Sequence, residues 1–344
     1  MEHNIMDFTG NLKKIIAGQD LDEESSASML MDIFSGEISE ARIGAFMAAL
    51  ATKGETFEEI AGAAKAMRRK AKRIQTLSKK VIDIVGTGGD ASGSFNISTT
   101  TAFVVAGAGV TVAKHGNRSI SSLCGSADVL EEFGLNLNTD PEIVEEAINE
   151  IGIGFMFAPL YHGSMKYAGK ARQECGIRSI FNMLGPLTNP AAAGCQLLGV
   201  YAPELTEMFA KALKLLGVSK AFVVHGHDGM DEITTTALTR VSALHEGAIR
   251  SFDLNPLDFF EDFADPKDLK GGGKKENAAI TKAVLKGEKG PRRDIVLLNA
   301  GAALVAADMA DSIKTGIALA EESIDTGKAF QKLERLVRFT QENG

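Results

Sequence analysis

Residues 81–101 read Val81-Ile82-Asp83-Ile84-Val85-Gly86-Thr87-Gly88-Gly89-Asp90-Ala91-Ser92-Gly93-Ser94-Phe95-Asn96-Ile97-Ser98-Thr99-Thr100-Thr101. The first five form a short apolar run closed by glycine, the pattern of a buried strand. Glycines then leave the strand and lead to hydroxyl-bearing residues, where a helical pattern begins near 98 and runs to 108. A strand, a glycine loop and a helix start together gather backbone N–H groups and a positive dipole end around one point, which suits an anion. The same residues also suit a tight strand-to-helix turn with serine and threonine caps. A Walker A loop and a dinucleotide fingerprint are both excluded, because G-K-[ST] and G-x-G-x-x-G are absent.

Outward from this unit, strand and helix patterns alternate. Val110–Ala113, Ile153–Phe157, Gln196–Tyr201 and Ala221–Val224 read as strands. Helical patterns lie between them: one capped by Ser126 and ending at Gly134, one opened by Asp140-Pro141, one over 164–184, and one over Glu204–Leu216. Such alternation implies a mostly parallel sheet covered by helices. Arg240–His245 and Ala248–Leu254, joined by Glu246-Gly247, read as an antiparallel hairpin added to that sheet. The last 70 or so positions read as covering helices.

Before residue 75 the pattern is helical throughout. Ile43, Phe46, Met47 and Leu50 fall on one stripe, closed by Gly54. Thr56 and Glu59 form a T-x-x-E capping box, followed by the stripe Ile60, Ala63, Ala64 and Met67. The basic run Arg68–Arg73 is expected to be a solvated helix end, where cations suit the dipole.

The chain has 344 residues, 44% apolar and 24% charged, with a net charge of −8, which excludes disordered and collagen-like classes and argues against nucleic acid as a partner. Its three cysteines, Cys124, Cys175 and Cys195, contain no C-x-x-C pair and fit a reduced, cytoplasmic setting. The first twelve residues carry no long apolar run, so no signal peptide is expected, and the apolar stretches near 102–113 and 295–306 are too short to span a bilayer.

Three more segments carry chemistry. Lys114-His115-Gly116-Asn117-Arg118-Ser119 follows the second strand, with Ser121 and Ser122 just beyond. Ligands collect at the carboxyl ends of strands in such sheets, so this basic loop and the glycine loop face one crevice suited to a polyphosphate. Asp228-Gly229-Met230-Asp231-Glu232 follows the strand ending in His225-Gly226-His227. Its carboxylates suit Mg²⁺ completed by phosphate oxygens, or an acidic turn. His162, Lys166, Arg172 and Arg178 dot a helical segment, where an arginine fork can clamp a carboxylate or form a surface pair. No nucleophile with its base emerges, so no catalytic side chain is assigned. The inventory points to transfer chemistry in which a polyphosphate leaves.

In combination, Gly86-Thr87-Gly88-Gly89-Asp90, Asn96-Ile97-Ser98-Thr99, Lys114–Arg118, Gly125-Ser126-Ala127-Asp128, Arg178–Asn182 with Leu184-Gly185-Pro186, and Val224-His225-Gly226 with Asp231-Glu232 resemble the anthranilate phosphoribosyltransferase family over about residues 20–340. The resemblance implies a nucleoside phosphorylase-like α/β architecture: a small helical domain plus a larger α/β domain with a mostly parallel central sheet. Expected boundaries are 1–75 for the helical domain, joined by a returning segment near 164–190, with 76–163 and 191–344 forming the α/β domain. It implies that anthranilate attacks phosphoribosyl pyrophosphate, giving N-(5-phosphoribosyl)anthranilate and pyrophosphate in tryptophan biosynthesis, with Mg²⁺ and a homodimer formed through the helical domains.

Residue by residue, the resemblance implies donor contacts from Gly86, Gly89, Asp90, Ser94, Asn96, Ile97, Ser98, Thr99, Lys114, His115, Gly116, Asn117, Arg118, Ser119, Ser121, Ser122 and Ser126. It implies anthranilate contacts from Gly86, Asn117 and Arg172, and magnesium held by Ser98, Asp231 and Glu232. Two departures stand out: His162-Gly163-Ser164 replaces the family's His-Pro-Ala, and Lys170-Ala171-Arg172 replaces its Pro-Val-Arg. The competing readings are a pyrimidine nucleoside phosphorylase, which shares the architecture, and a nucleic-acid-binding relative.

Overall fold

The computed structural model describes residues 5–119 and 123–344. Four helices open the chain: α1 (Ile5–Ile16), α2 (Glu23–Ser35), α3 (Glu40–Lys53) and α4 (Phe57–Lys70). The capping box starts α4: the Glu59 N–H donates to Thr56 Oγ1, and Glu59 Oε2 accepts from the Thr56 N–H. Glu59 is fully buried, yet its oxygens are also met by the Leu21 N–H and by Lys53 Nζ. Burial of that charge is therefore compensated. Ile43, Phe46, Met47 and Leu50 of α3 and Ile60, Ala63, Ala64 and Met67 of α4 share one apolar core.

The remainder runs β1 (Val81–Gly86), α5 (Ile97–Gly107), β2 (Thr111–Gly116), α6 (Ser126–Glu132), α7 (Pro141–Ile151), β3 (Ile153–Phe157), α8 (Ala158–Tyr161), α9 (Lys166–Cys175) and α10 (Ile180–Met183). It continues with β4 (Cys195–Gly199), α11 (Leu205–Leu215), β5 (Lys220–Gly226), β6 (Thr239–His245), β7 (Ala248–Leu254), α12 (Lys274–Leu285), α13 (Pro291–Ala306), α14 (Ile313–Asp325) and α15 (Lys328–Asn343). The sheet order is β3-β2-β1-β4-β5-β6-β7. The first five strands in that order are parallel, and the β6–β7 hairpin adds antiparallel at one edge. From β1 the chain winds outward through β2 and β3, then returns to the other side of β1 with β4 and β5. That reversal makes the carboxyl ends of β1 and β4 a topological switch point, where a crevice opens. The small helical unit plus the larger, mostly parallel α/β unit is the expected fold class.

The helical pattern over 164–184 is not one helix. Gly176, at φ +61°, closes α9 in the left-handed conformation, and α10 starts four residues later. The interruption leaves Ile177 and Arg178 on an exposed connector. Through α9 the chain returns to pack on α2 and α3, with Ala168 and Ala171 entering their core. Ser126 is the first residue of α6, and Gly125 holds the cap position instead. Arg68 is not solvated either: its guanidinium donates to the carbonyls of Leu187 and Leu216. Burial pushes its pKa down to about 10.

Candidate active site

Strands β1, β2, β4 and β5 all end on glycine: Gly86, Gly116, Gly199 and Gly226. The ends of β1 and β2, with the segments that follow β4 and β5, form the floor of a cleft of about 740 Å³, roofed by the end of α4 and by α9 and α10. Bare glycines are needed there because the loop after β5 comes down onto the floor. A Cβ on Gly86 or Gly199 would collide with the side chain or backbone of Asp231.

The acidic loop divides sharply. Asp228 turns away and accepts from Thr234 Oγ1 at 2.6 Å and from the Met230 N–H, so it caps a turn. Asp231 and Glu232 face the cleft. Asp231 Oδ2 accepts from the Gly88 N–H at 2.8 Å, and Glu232 Oε1 accepts from the Ser98 N–H, at the N-terminus of α5, at 3.1 Å. Both carboxyls are pushed above the ordinary range by burial, Asp231 further by Asp90 beside it and Glu232 by Asp231. One cation faces them: Lys114, whose Nζ donates to Ile84 O at 2.6 Å and approaches Ser98 Oγ at 3.4 Å. Burial lowers its pKa, while Asp83 and Glu232 oppose that shift.

Three crowded carboxylates with one lysine leave local negative charge uncompensated. Hard oxygen donors in that state fit Mg²⁺. Among the described residues no group of three or more metal-ligating side chains is assembled. Thr87 Oγ1 and Thr99 Oγ1 line the same cleft, buried and without a protein partner.

Below the β2 loop lies a histidine pair. His115 Nε2 and His162 Nε2 are 3.2 Å apart, and His115 Nδ1 meets Gly185 O at 3.2 Å. Burial drives both imidazoles far down, His115 to about 3, further lowered by His162, and His162 to about 4. With His115 Nδ1–H donating to the Gly185 carbonyl, its neutral ring is left to accept at Nε2 from the Nε2–H of His162. Asp83, also buried, accepts from the His115 N–H, and burial raises its pKa to about 6.

The roof supplies Arg172, Phe181, Asn182, Arg178 and Met67. The Arg172 guanidinium sits 5.6 Å from the Phe181 ring centroid and has no carboxylate partner among the described residues. Partial burial lowers its pKa.

Of the residues expected at the site, Gly86, Gly89, Asn96, Ser98, Thr99, Lys114, His115, Gly116, Asn117, Arg118, Ser119, Ser126, Arg172, Asp231 and Glu232 line this one cleft. Asp90 stands behind the lining, against Asp231. Ser94 is drawn toward Ser92 Oγ and pairs with Lys270. The Ile97 side chain belongs to the apolar core, not to the cleft. The Asn96 amide is committed to Cys124 O and to Asn277. Arg118 is held by Asp128 and Glu131, which raise its pKa further. Ser121 and Ser122 lie outside the described residues. Reasoning from the sequence assigned no role to Met67, His162, Phe181 or Tyr201 and left Arg178 unplaced; each becomes a lining residue only through packing of the roof on the sheet.

Fold and cleft together define a two-part glycosyl transferase. The family model described as glycosyl transferase family, a/b domain, matches residues 78–330, and the one described as glycosyl transferase family, helical bundle domain, matches residues 11–71. The anthranilate phosphoribosyltransferase of Desulfosudis oleivorans is 64% identical over 98% of this chain and 100% of its own length. That of Moorella thermoacetica is 51% identical over 96% and 97%. Among solved structures, the anthranilate phosphoribosyltransferase of Thermus thermophilus superposes with a TM-score of 0.91 at 44% identity, covering 96% of this chain and 99% of that one. The Saccharomyces cerevisiae enzyme, in complex with PRPP and Mg, gives 0.90 at 29% identity, covering 99% and 100%. The chain belongs to the anthranilate phosphoribosyltransferase family.

Proposed function

We propose that the cleft transfers the phosphoribosyl group of phosphoribosyl pyrophosphate (PRPP) to anthranilate, releasing pyrophosphate, as a step of tryptophan biosynthesis in the cytoplasm. The observation that carries this reading is the pair Asp231 and Glu232, buried at the strand ends and tied to the N–H groups of Gly88 and Ser98. A buried acidic pair facing a glycine loop would suit a divalent cation bound together with a polyphosphate. Relatives named anthranilate phosphoribosyltransferase support the substrates, and the yeast enzyme's complex with PRPP and Mg supports the metal.

In this reading Asp231, Glu232 and the Ser98 hydroxyl hold Mg²⁺, which when bound neutralises charge on the leaving pyrophosphate. Gly86, Gly89, Asn117, Ser119 and Ser126 cradle the donor, and Lys114 adds a fixed positive charge. The orphan hydroxyls of Thr87 and Thr99 donate to donor oxygens. Arg172, a guanidinium without a protein counter-ion, receives the anthranilate carboxylate near Asn117 and Gly86.

The anthranilate amine is neutral and nucleophilic at pH 7, so no strong base is required. Its nitrogen forms the bond to C1′ as the bond from C1′ to the pyrophosphate oxygen breaks, and the surplus amine proton leaves to solvent or product. Rate enhancement comes from preorganised N–H groups and Lys114 at the departing oxygens, and from alignment of both reactants between roof and floor.

The same reading divides the chain into a helical unit, 1–75 with the return near 164–190, and an α/β unit, 76–163 with 191–344; packing of α9 on α2 and α3 supports it. It extends to a homodimer through the helical unit, carried by the family resemblance. No helix among the described residues is long and apolar enough to cross a membrane. The direct test follows anthranilate fluorescence with PRPP and Mg²⁺. The expected result is loss of fluorescence requiring all three components, with no turnover of thymidine and phosphate. Phosphorolysis of thymidine without anthranilate consumption would replace this reading by the phosphorylase.

A further inference from the structure

The connector between α9 and α10 carries a cation without a counter-ion. Arg178 is exposed, lines the cleft and makes no ion pair among the described residues. Two contacts fix it. Its guanidinium carbon sits 3.8 Å from the centroid of the Tyr201 ring, which follows β4, and its Nη2 donates to Gly89 O at 3.1 Å. A Cβ on Gly89 would lie 2.5 Å from Nη2, so the close approach depends on glycine at that position.

The glycine loop is thus held from two sides. The Gly88 N–H is fixed by Asp231, and the next carbonyl, Gly89 O, is fixed by Arg178. In a trans peptide the carbonyl and the following N–H point in opposite directions. Holding Gly89 O against Arg178 therefore turns the Asp90 N–H the other way. Gly88 and Gly89 both sit at positive φ, +67° and +75°. Glycine tolerates many dihedrals, so this loop has little conformational preference of its own. The Gly89 carbonyl is met by Arg178, so loss of that side chain loosens the 89–90 peptide.

We propose that Arg178 is a positioning residue that holds the 89–90 peptide of the donor loop in one orientation, with Tyr201 as the platform that aims the guanidinium. The lock joins the roof connector to the floor loop, so donor affinity depends on how the helical unit sits on the sheet. This rests on the donor assignment given above.

The test measures PRPP affinity by calorimetry with Mg²⁺ present, and KM and kcat in the anthranilate assay, for wild type, Arg178→Ala, Arg178→Lys, Tyr201→Phe and Tyr201→Ala. Wild type must bind PRPP; failure there overturns the donor assignment itself, independently of Arg178. Given wild-type binding, Arg178→Ala is expected to weaken PRPP affinity and raise its KM about tenfold, the low end for a charge-assisted hydrogen bond, with kcat changed less than about threefold. Lysine at 178 restores part of the loss, because it still donates to Gly89 O. Tyr201→Phe keeps the ring platform and loses only the hydroxyl's contact with Arg178, so its affinity falls less than that of Tyr201→Ala, which loses affinity in the same direction as Arg178→Ala. Unchanged PRPP affinity in Arg178→Ala overturns the lock. So does a loss in Arg178→Ala with none in Tyr201→Ala, which would make Arg178 a direct donor ligand that needs no platform.

Discussion

Gly199 makes the sharpest demand on the sequence. At the end of β4 it pairs with Gly86 on one side and Val224 on the other. A Cβ built there would lie 1.5 Å from the carbonyl oxygen of Asp231. Ordinary contact needs about 3.5 Å, so in Gly199→Ala the acidic loop must retreat by about 2 Å. The obstacle is backbone, so no side-chain rotation relieves it. The retreat carries Asp231 away from the Gly88 N–H and spreads the pair that is to hold magnesium. Misplacement by about 1 Å near reacting groups costs on the order of 10²-fold, so kcat/KM should fall at least about 10²-fold and the Mg²⁺ midpoint should rise. Overpacking should also lower stability by about 1–3 kcal/mol. Gly86→Ala is the graded comparison: its Cβ meets the Asp231 carboxyl, which can swing aside, so a loss of only about tenfold is expected. Gly10→Ala, in α1 with nothing near its Cβ, controls for substitution itself. Steady-state rates across a magnesium titration, with thermal melts of each variant, decide the matter. A folded Gly199→Ala enzyme with the wild-type rate and magnesium midpoint would refute the placement of Asp231.

Three further outcomes follow from the same geometry. Arg172→Ala should lower kcat/KM for anthranilate by about 10- to 150-fold, corresponding to a charge-assisted contact of about 1.5–3 kcal/mol, and aniline, lacking the carboxylate, should lose far less; equal losses in steady-state assays would move the acceptor carboxylate elsewhere. The double variant Asp231→Asn with Glu232→Gln should lose about 10²-fold in rate and its magnesium dependence, yet melt higher than wild type without metal, because it removes buried carboxylates that repel each other; a lower melting temperature with retained magnesium dependence would contradict this. His162 has a folded pKa depressed from 6.5 to about 4, so the unfolded chain binds the extra proton between those values and the stability it supports is lost as pH falls. Asp83, raised to about 6, works in the opposite sense, so the histidine effect is isolated by difference: the advantage of wild type over His162→Asn in denaturant melts should shrink from pH 6.5 to 4, and parallel curves would exclude it.

Much of the floor was legible because its signals are local. Val81–Val85 is apolar apart from Asp83 and buried along its length, as a central parallel strand is, and the hairpin announced itself in Glu246-Gly247, which adopt φ of +49° and +77°. Donor-site residues could be grouped because they lie at, or just beyond, the carboxyl ends of strands. Other features depend on partners far along the chain. Arg68 looks like any helix-terminal cation until the carbonyls of Leu187 and Leu216 arrive to bury it. Asp228 and Asp231 are three residues apart and alike in type, but only packing sends one to Thr234 and the other into the cleft. The break at Gly176 did have a signal, a glycine inside a helical pattern, and it decides where Arg178 stands. Tyr201 and Phe181 had none: their place follows from the seating of the roof on the floor.

Phosphorus NMR of PRPP with the protein, read beside the anthranilate consumed, tests whether one cleft joins anthranilate to the ribosyl carbon as pyrophosphate leaves. Free pyrophosphate should appear one for one with anthranilate lost, only with Mg²⁺ present, and PRPP should stay intact when anthranilate is withheld. Pyrophosphate released at the same rate without anthranilate, or none released with all components present, would contradict it.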